Sequence, residues 1–431
     1  MKTVKVGLIG LGTVGSATYG ILIRERSRLQ SRLGASLEVS MVADKERSAT
    51  EAHDIPDSIF TTDVNDIIDD DDIDIVVELI GGMEPAKSFI SGALERGKTV
   101  VTANKEVVAN SGCELVSLAR ENGAGLYFEA SVGGGIPLLR GIHQGLAGNN
   151  VNEIYGIVNG TTNYVLSKMT EEGIEFSQAL EEATEMGYAE ADPSYDIDGV
   201  DAAHKIAILA SISFGSWVTV DQVFKEGISS ITQKDISHAK DLGYVIKLLA
   251  VGKRSGDGIE VRVHPTLIPA SHLLASVSDI YNAVFVNTDS AGPGLFYGTG
   301  AGGASAGSAV VADVVEASRS ILTGTRMGFE SGLPDSRADD VIDIGDLNSR
   351  YYIRLRVIDR PGALASISGV FGEEDISLAS VRQTEEKTEI VDLIFVTHMA
   401  IERNVSRALK RISGLEVVRE IGSCIRMEDS L

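Results

Sequence analysis

The stretch DIDGVDAAHKIAILAS at 196–211 places two charges where charge is costly. Val200, Ala202, Ala203, Ile206, Ala207, Ile208, Leu209 and Ala210 read as an apolar helix, yet Asp201 and Lys205 stand four residues apart and share one face. Helices of this kind rarely carry charge without a partner or a task. One reading is an i,i+4 ion pair on a single wet stripe. The other is chemistry: a partly desolvated ammonium has a lowered pKa and can give up a proton, and a carboxylate one turn earlier would aim it. A second lysine, Lys105 in TANKE (102–106), falls where an apolar strand ends. Ligands of parallel sheets bind outside the carboxyl ends of the strands, so Lys105 is expected to point into a crevice. As a plain solvent-facing lysine at a helix start it would oppose the helix dipole.

GLGTVG at 10–15 supplies a third element of chemistry. It matches G-x-G-x-x-G directly after a strand and at the opening of a helix. Gly10 allows the tight turn, Gly12 lets the backbone approach a pyrophosphate, and Gly15 lets helix and strand pack closely. The helix N-terminus then offers free N–H groups and positive potential to phosphates. Asp44, at the end of the second strand, is the natural acceptor for a ribose 2′-hydroxyl and would repel a 2′-phosphate; Lys45 and Arg47 directly follow and would clamp that phosphate instead. These signals conflict, and the reading leans toward NADP with NAD also accepted.

The elements that must position these residues are legible as alternation. Apolar strands at 3–9, 37–45, 72–81, 98–103 and 124–131 are separated by helical patterns at 14–32, 84–96 and 105–122. That spacing gives an α/β, Rossmann-type, doubly wound parallel sheet over residues 1–135. From 136 to 330 strands mix with long helices as in an α+β domain, ending in a Gly-rich loop and a helix at 306–323 that completes the first domain. Residues 331–349 are polar and turn-rich and read as a linker. Residues 350–431 run β-α-β-β-α-β, a ferredoxin-like unit, with a charged hairpin turn between its second and third strands.

Composition narrows the function classes. The chain has 431 residues, 43% of them hydrophobic, enough for about three domains. No apolar run is long enough to span a membrane, and the apolar N-terminal run is too short and glycine-rich for a signal peptide. A net charge of −24 without basic patches disfavours nucleic acid. Two distant cysteines, Cys113 and Cys424, fit a reducing cytoplasm rather than a disulfide framework or zinc site.

GLGTVG, VTANKE, EASVGGGIP (129–137), GIVNGTTNYVL (156–166), GYAEADPSYDIDGVDAAHK (187–205) and LFYGTGAGG (295–303), in this order and spacing, resemble homoserine dehydrogenase, and the tail, with DRPG (359–362) after its first strand, resembles an ACT domain. The resemblance implies NAD(P)H-dependent reduction of aspartate 4-semialdehyde to homoserine, in the aspartate pathway toward threonine, methionine and isoleucine. It makes Lys205 the proton donor to the aldehyde oxygen and Lys105 the second active-site lysine. Glu190 and Asp201 match residues that hold the amino-acid end of the substrate. Thr13, Val14, Ala103, Gly187 and Gly302 fall where the family contacts coenzyme. Glu129, with the carbonyls of Val132, Gly134 and Ile136, matches a monovalent cation site, expected to hold sodium. The middle domain carries catalysis and dimerisation, so a homodimer or larger is expected, and threonine is the expected effector of the tail. The bottom-up chemistry agrees, since hydride arriving at an aldehyde carbon leaves charge on oxygen that needs a cation and a proton.

Two positions depart from the family pattern: ASAGS (304–308) stands where a proline and threonine usually precede the helix, and Asp375 stands where asparagine is common. His204, Trp217, the DDDD run at 69–72 and Asp192, Asp196 and Asp198 keep plain readings as packing, core, solvated loop and turn or cap residues. A rival reading from another class is a catalytically silent dinucleotide- and amino-acid-binding sensor; the Asp201/Lys205 pair and Lys105 argue against it.

Overall fold

The computed structural model describes every residue except 1, 48–53, 257, 326, 339, 384–388 and 430; the charged turn expected in the tail falls in 384–388 and lies outside the described residues. The chain begins β1 (Thr3–Ile9), α1 (Thr13–Arg24), α2 (Arg26–Leu33), β2 (Ser36–Ala43), β3 (Phe60–Thr61), α3 (Asn65–Ile68), β4 (Ile75–Glu78), α4 (Ala86–Glu95), β5 (Thr99–Thr102), α5 (Lys105–Glu121) and β6 (Leu126–Tyr127). It continues β7 (Val151–Ile157), α6 (Gly160–Glu172), α7 (Phe176–Glu185), α8 (Ser194–Ile197), α9 (Val200–Phe214), β8 (Phe224–Lys225), α10 (Gln233–Asp241), β9 (Tyr244–Ser255), β10 (Gly258–Pro269), β11 (Tyr281–Thr288), β12 (Gly292–Thr299) and α11 (Gly303–Thr323). It ends β13 (Asn348–Ile358), α12 (Ala363–Glu373), β14 (Leu378–Gln383), β15 (Ile390–Thr397), β16 (Ala400–Ile401), α13 (Glu402–Ile412) and β17 (Val418–Met427).

These elements gather into two compact units built from interleaved segments: Met1–Ile154, His204–Val223 and Asn282–Asp339 in one, Tyr155–Ala203, Phe224–Tyr281 and Asp340–Leu431 in the other. In the first, six strands pair in the order β3-β2-β1-β4-β5-β6, parallel throughout. β1, β4 and β5 are buried on both faces, which is why they read as continuous apolar runs. The helix expected to complete this domain does so: α11 packs along α1, and Val310 and Val314 enter the same core as Val6, Leu8 and Val77. The close approach needs glycine, because a Cβ on Gly307 would lie 3.1 Å from the Thr18 nitrogen. The single helix expected over 14–32 is broken at Glu25 into α1 and α2. Only Leu29 of α2 is buried, so no apolar stripe holds the second piece in line with the first.

In the second unit, β9-β10-β17-β13-β15-β14 form one sheet. The tail's four strands take the order β17-β13-β15-β14, all antiparallel, as a β-α-β-β-α-β unit requires. Period-2 alternation along β13 sends Tyr351, Ile353, Leu355 and Val357 into a core with α12 and α13 residues Ile367, Phe371, Val405 and Ile412. The tail is joined to the rest of its unit by pairing of β17 on β10, Thr266 opposite Arg426 and Leu267 opposite Met427. Ion pairs seal that seam: Glu428 accepts from Arg262 and Lys253 at 2.7 Å each, and Arg426 reaches Glu226 at 2.9 Å. Asp375 sits at φ 57°, a left-handed position that asparagine and aspartate tolerate better than other side chains. The departure there therefore keeps the turn.

Candidate active site

The phosphate-binding turn is built from its glycines. Gly10 has φ +96°, and a Cβ there would sit 3.0 Å from the Leu79 carbonyl oxygen. A Cβ on Gly15 would lie 1.9 Å from the Gly10 carbonyl oxygen, so α1 can start against the end of β1 only with glycine at this position. Gly12 has nothing within 4 Å of that direction and leaves the backbone open to a ligand. As N-cap of α1 it supplies no side-chain cap, so the first N–H groups of the helix stay available to an anion. Asp44 is fixed at the tip of β2: its carboxylate accepts from the Leu11 backbone N–H at 2.6 Å and from that of Glu46 at 3.0 Å. Lys45 is exposed, whereas the Arg47 guanidinium is ion-paired with Asp57 and lies 4.6 Å over the Phe60 ring. These residues fit a dinucleotide: the open turn at Gly12 suits a phosphate, and the fixed Asp44 carboxylate suits a hydroxyl.

A second helix start converges on the first. Gly302, φ +110°, caps α11 without a side-chain bond, and a Cβ on Gly303 would meet the Thr13 carbonyl oxygen at 2.7 Å. The departing ASAGS residues are used in packing: the Ser305 hydroxyl donates to the Thr299 carbonyl at 3.1 Å, and Gly307 lies against α1. Between these loops opens a cleft of about 350 Å³ lined by Val14, Ala103, Lys105, Gly134, Lys205 and Gly302, among others. Six positions from five separate motifs thus line one space.

Lys105 is held at the first turn of α5 by polar supports. The N-cap Asn104 accepts from Val107 N–H at 3.1 Å and donates to the Ile80 and Gly82 carbonyls at 3.1 and 2.8 Å. Thr102 donates to Glu78 at 2.6 Å and accepts from Asn104 N–H at 3.0 Å. Burial pushes the Glu78 carboxyl up to about 7, against the opposing bonds from Thr102 and Ile80. The folded chain therefore keeps this proton to about pH 7, while the unfolded chain releases it near 4.5. The folded state binds more protons in that window, so stability falls as pH rises through it, by on the order of 3 kcal/mol at most. Glu78→Gln is expected to raise the melting temperature at pH 8 and to change it little at pH 5; equal shifts at both pH values would place the ionisation elsewhere.

On α9 every residue from Asp201 to Ser211 is buried, with Asp201 at 3% and Lys205 at 8% exposure. The helix has no wet stripe there, so a surface ion pair is not what these charges form. Asp201 accepts from the Asn159 side-chain amide at 2.8 Å, and the same amide donates to Asp196 at 2.7 Å. Thr161 donates to Asp196 at 2.9 Å and to the Tyr188 carbonyl at 2.7 Å. Asn159 is also the N-cap of α6, accepting from Thr162 N–H. Asn159 and Thr161 lie in the NGTTN motif, whose cap signature was visible, but their hold on Asp196 and Asp201 depends on residues about 40 positions on. Asp196 is correspondingly more than a turn residue. Glu190 and Gly187 are exposed, Gly187 at φ +74°. His204 and Trp217 are buried.

The loop after β6 holds Glu129 at 3% exposure, its two oxygens accepting from Leu139 and Arg140 N–H at 2.9 and 2.8 Å. Burial raises its pKa despite these bonds and nearby Arg140. Arg140 is also paired with buried Asp313, whose carboxyl burial pushes up to about 8. Successive left-handed glycines, Gly133 and Gly134 at φ +79° and +57°, turn the carbonyls of this loop. A carboxylate with lone pairs to spare and a set of carbonyl oxygens suit a hard cation. Among the described residues, no group of three or more His, Cys, Asp or Glu side chains gathers as a metal site.

Comparison with known proteins completes this description. A family model described as "Homoserine dehydrogenase" matches residues 137–315, one described as "Homoserine dehydrogenase, NAD binding domain" matches 10–129, and one for the ACT domain matches 351–417. The homoserine dehydrogenase of Pseudomonas aeruginosa is 42% identical over 99% of each chain. The crystal structure of a homoserine dehydrogenase from Thiobacillus denitrificans superposes with a TM-score of 0.94 at 42% identity, over 100% of this chain and 99% of that one. A hyperthermophilic archaeal homoserine dehydrogenase in complex with NADPH matches with a TM-score of 0.63 at 29% identity, over 73% of this chain and 97% of that one.

Proposed function

The chain belongs to the homoserine dehydrogenase family, and from that premise we propose that it reduces L-aspartate 4-semialdehyde reversibly to L-homoserine with NADPH or NADH, on the route to threonine, methionine and isoleucine. One observation carries the reading: Lys105 and Lys205 line the same cleft as Val14, Ala103 and Gly302. The bound nicotinamide supplies the hydride. Gly10, Gly12, Thr13, Val14 and Gly15 seat its pyrophosphate, Asp44 and Lys45 its ribose end, and Ala103, Lys105, Gly187 and Gly302 complete that site. Lys205 Nζ gives its proton to the aldehyde oxygen as charge develops there, and Lys105 orients the aldehyde. Asp201 and Glu190 bind the substrate's amino-acid end, and Asp201 also serves catalysis by aiming the Lys205 ammonium. Residues 1–135 with 306–323 serve the coenzyme, 136–330 catalysis and dimerisation, and 350–431 regulation.

Glu129 with the Val132, Gly134 and Ile136 carbonyls is assigned a monovalent cation, sodium. Threonine is assigned to the tail, where Gly362 at φ +89° starts α12 without a side-chain cap. A homodimer is supported by β12, the last strand at its end of a sheet, which leaves Leu295 and Tyr297 37% and 53% exposed. No described helix is long and apolar enough to cross a membrane, and a cytoplasmic site of action is assigned with free Cys113 and Cys424.

Assay of the purified protein with aspartate semialdehyde should show oxidation of both coenzymes, with threonine inhibiting. Arg47 is already paired with Asp57, so Lys45→Ala should raise KM for NADPH over NADH more than Arg47→Ala does. No turnover with either coenzyme would sink the enzyme reading and favour the silent sensor.

A further inference from the structure

Arg354 lies far along the chain from every residue assigned to coenzyme or substrate, yet it is 4% exposed and makes a two-pronged ion pair across its unit. Its Nε donates to Asp235 Oδ1 at 2.8 Å and its Nη2 to Asp235 Oδ2 at 3.1 Å, with a further bond from Nη2 to the Thr232 hydroxyl at 3.2 Å. Thr232 and Asp235 form the capping box of α10, Thr232 donating to Asp235 from backbone and hydroxyl at 3.1 and 2.6 Å. Tyr352 and Ser423, also from the tail, donate to the same carboxylate. Burial alone would raise the Asp235 pKa, but the bonds from Arg354, Ser423 and Thr232 hold it below the ordinary value. The start of α10 is thus clamped by residues of the tail.

The next residue, Gln233, passes that clamp on. Its side-chain amide donates to the Met169 carbonyl at 2.7 Å and to the Ile174 carbonyl, the closing turn of α6 and the chain just after it. α6 is a 13-residue helix, a rod of about 20 Å. At its other end the N-cap Asn159 holds Asp201, and Lys247 fixes the first turn through Asn163 at 3.0 Å. Each link is a hydrogen bond between buried or half-buried groups, where a lost partner is costly.

We infer that Arg354 is a positioning residue for Asp201, the side-chain carboxylate proposed to hold the substrate, acting through the α10 cap, Gln233 and α6. The inference rests on the proposed substrate role of Asp201. It gives the tail a mechanical hold on substrate affinity that does not pass through the coenzyme-binding turn.

The test compares Arg354→Gln, Gln233→Ala and Asp201→Asn in the full-length enzyme. Arg354→Gln and Gln233→Ala should raise KM for aspartate semialdehyde by about two- to thirtyfold, the range of substitutions along coupling networks. Both should leave KM for coenzyme within about twofold, and kcat should fall by a smaller factor than KM for the aldehyde rises. Gln233→Ala removes the side-chain bonds from α10 to α6 and leaves the Arg354–Asp235 pair in place, so its melting temperature should fall less than that of Arg354→Gln while KM rises as much, which separates positioning from general destabilisation and stands in should Arg354→Gln fail to fold. Arg354→Lys, which keeps charge but not the fork, should give an intermediate KM. If Asp201→Asn raises KM for the aldehyde and Gln233→Ala and Arg354→Gln do not, the inference is overturned. If Asp201→Asn also leaves KM unchanged, the assignment of Asp201 falls first and takes the inference with it.

Discussion

Lys205→Ala should lower kcat by at least about a hundredfold and leave KM for coenzyme nearly unchanged, because a positioned general acid contributes about 10²–10⁴ to the rate. The expectation has a structural basis in α9, buried from Asp201 to Ser211, which spends an ammonium on the cleft that Lys105 also lines. Truncating a buried side chain also removes packing, so Lys205→Met is the matched control: it keeps an aliphatic stem and loses the proton. Both variants should be equally slow in single-turnover reduction, with melting temperatures that differ by the lost packing. Near-normal turnover in Lys205→Met would remove Lys205 from the proton-transfer role and make Lys105 the first candidate.

The second large effect is expected at two glycines of one motif, with different causes. Gly15→Ala forces a methyl to within 1.9 Å of the Gly10 carbonyl oxygen, and backbone must move. Overpacking of this kind costs about 1–3 kcal/mol, and displacing the turn by about 1 Å can weaken function about a hundredfold. Gly15→Ala should therefore lower the melting temperature and raise KM for coenzyme together. Gly12→Ala has open space in the protein, so it should melt as the parent does while KM for coenzyme still rises, since the methyl occupies the pyrophosphate's approach. A melting temperature lowered as much by Gly12→Ala as by Gly15→Ala would show that Gly12 is kept for packing and not for a ligand.

Much of this was readable without coordinates, for local reasons. β1, β4 and β5 announce themselves because strands buried on both faces are largely apolar, and Gly10, Gly12 and Gly15 because of their spacing at the end of one strand. The order of the tail's elements followed from alternation and turn spacing. Asp201 and Lys205 stood out because charge on an apolar helix is costly wherever the helix packs. The break at Glu25 was missed, since helical propensity runs through it and only the lack of buried contacts in α2 decides it.

What the sequence by itself determined, then, is most of the elements, the dinucleotide turn and the placing of Asp201 and Lys205 on an apolar helix, because each depends on residues a few positions apart. Only the tertiary structure decided which partners those charges have. Asn159 caps α6, and its bond to Asp201 spans 42 positions. Asp235 closes the capping box of α10, and its bond to Arg354 spans 119. On β13 the side chains alternating with the core, Tyr352 and Arg354, carry the pattern of a solvated face, yet they are buried against α10. Periodicity says that a polar residue faces away from one core; it carries no information about what else the folded chain brings to that side.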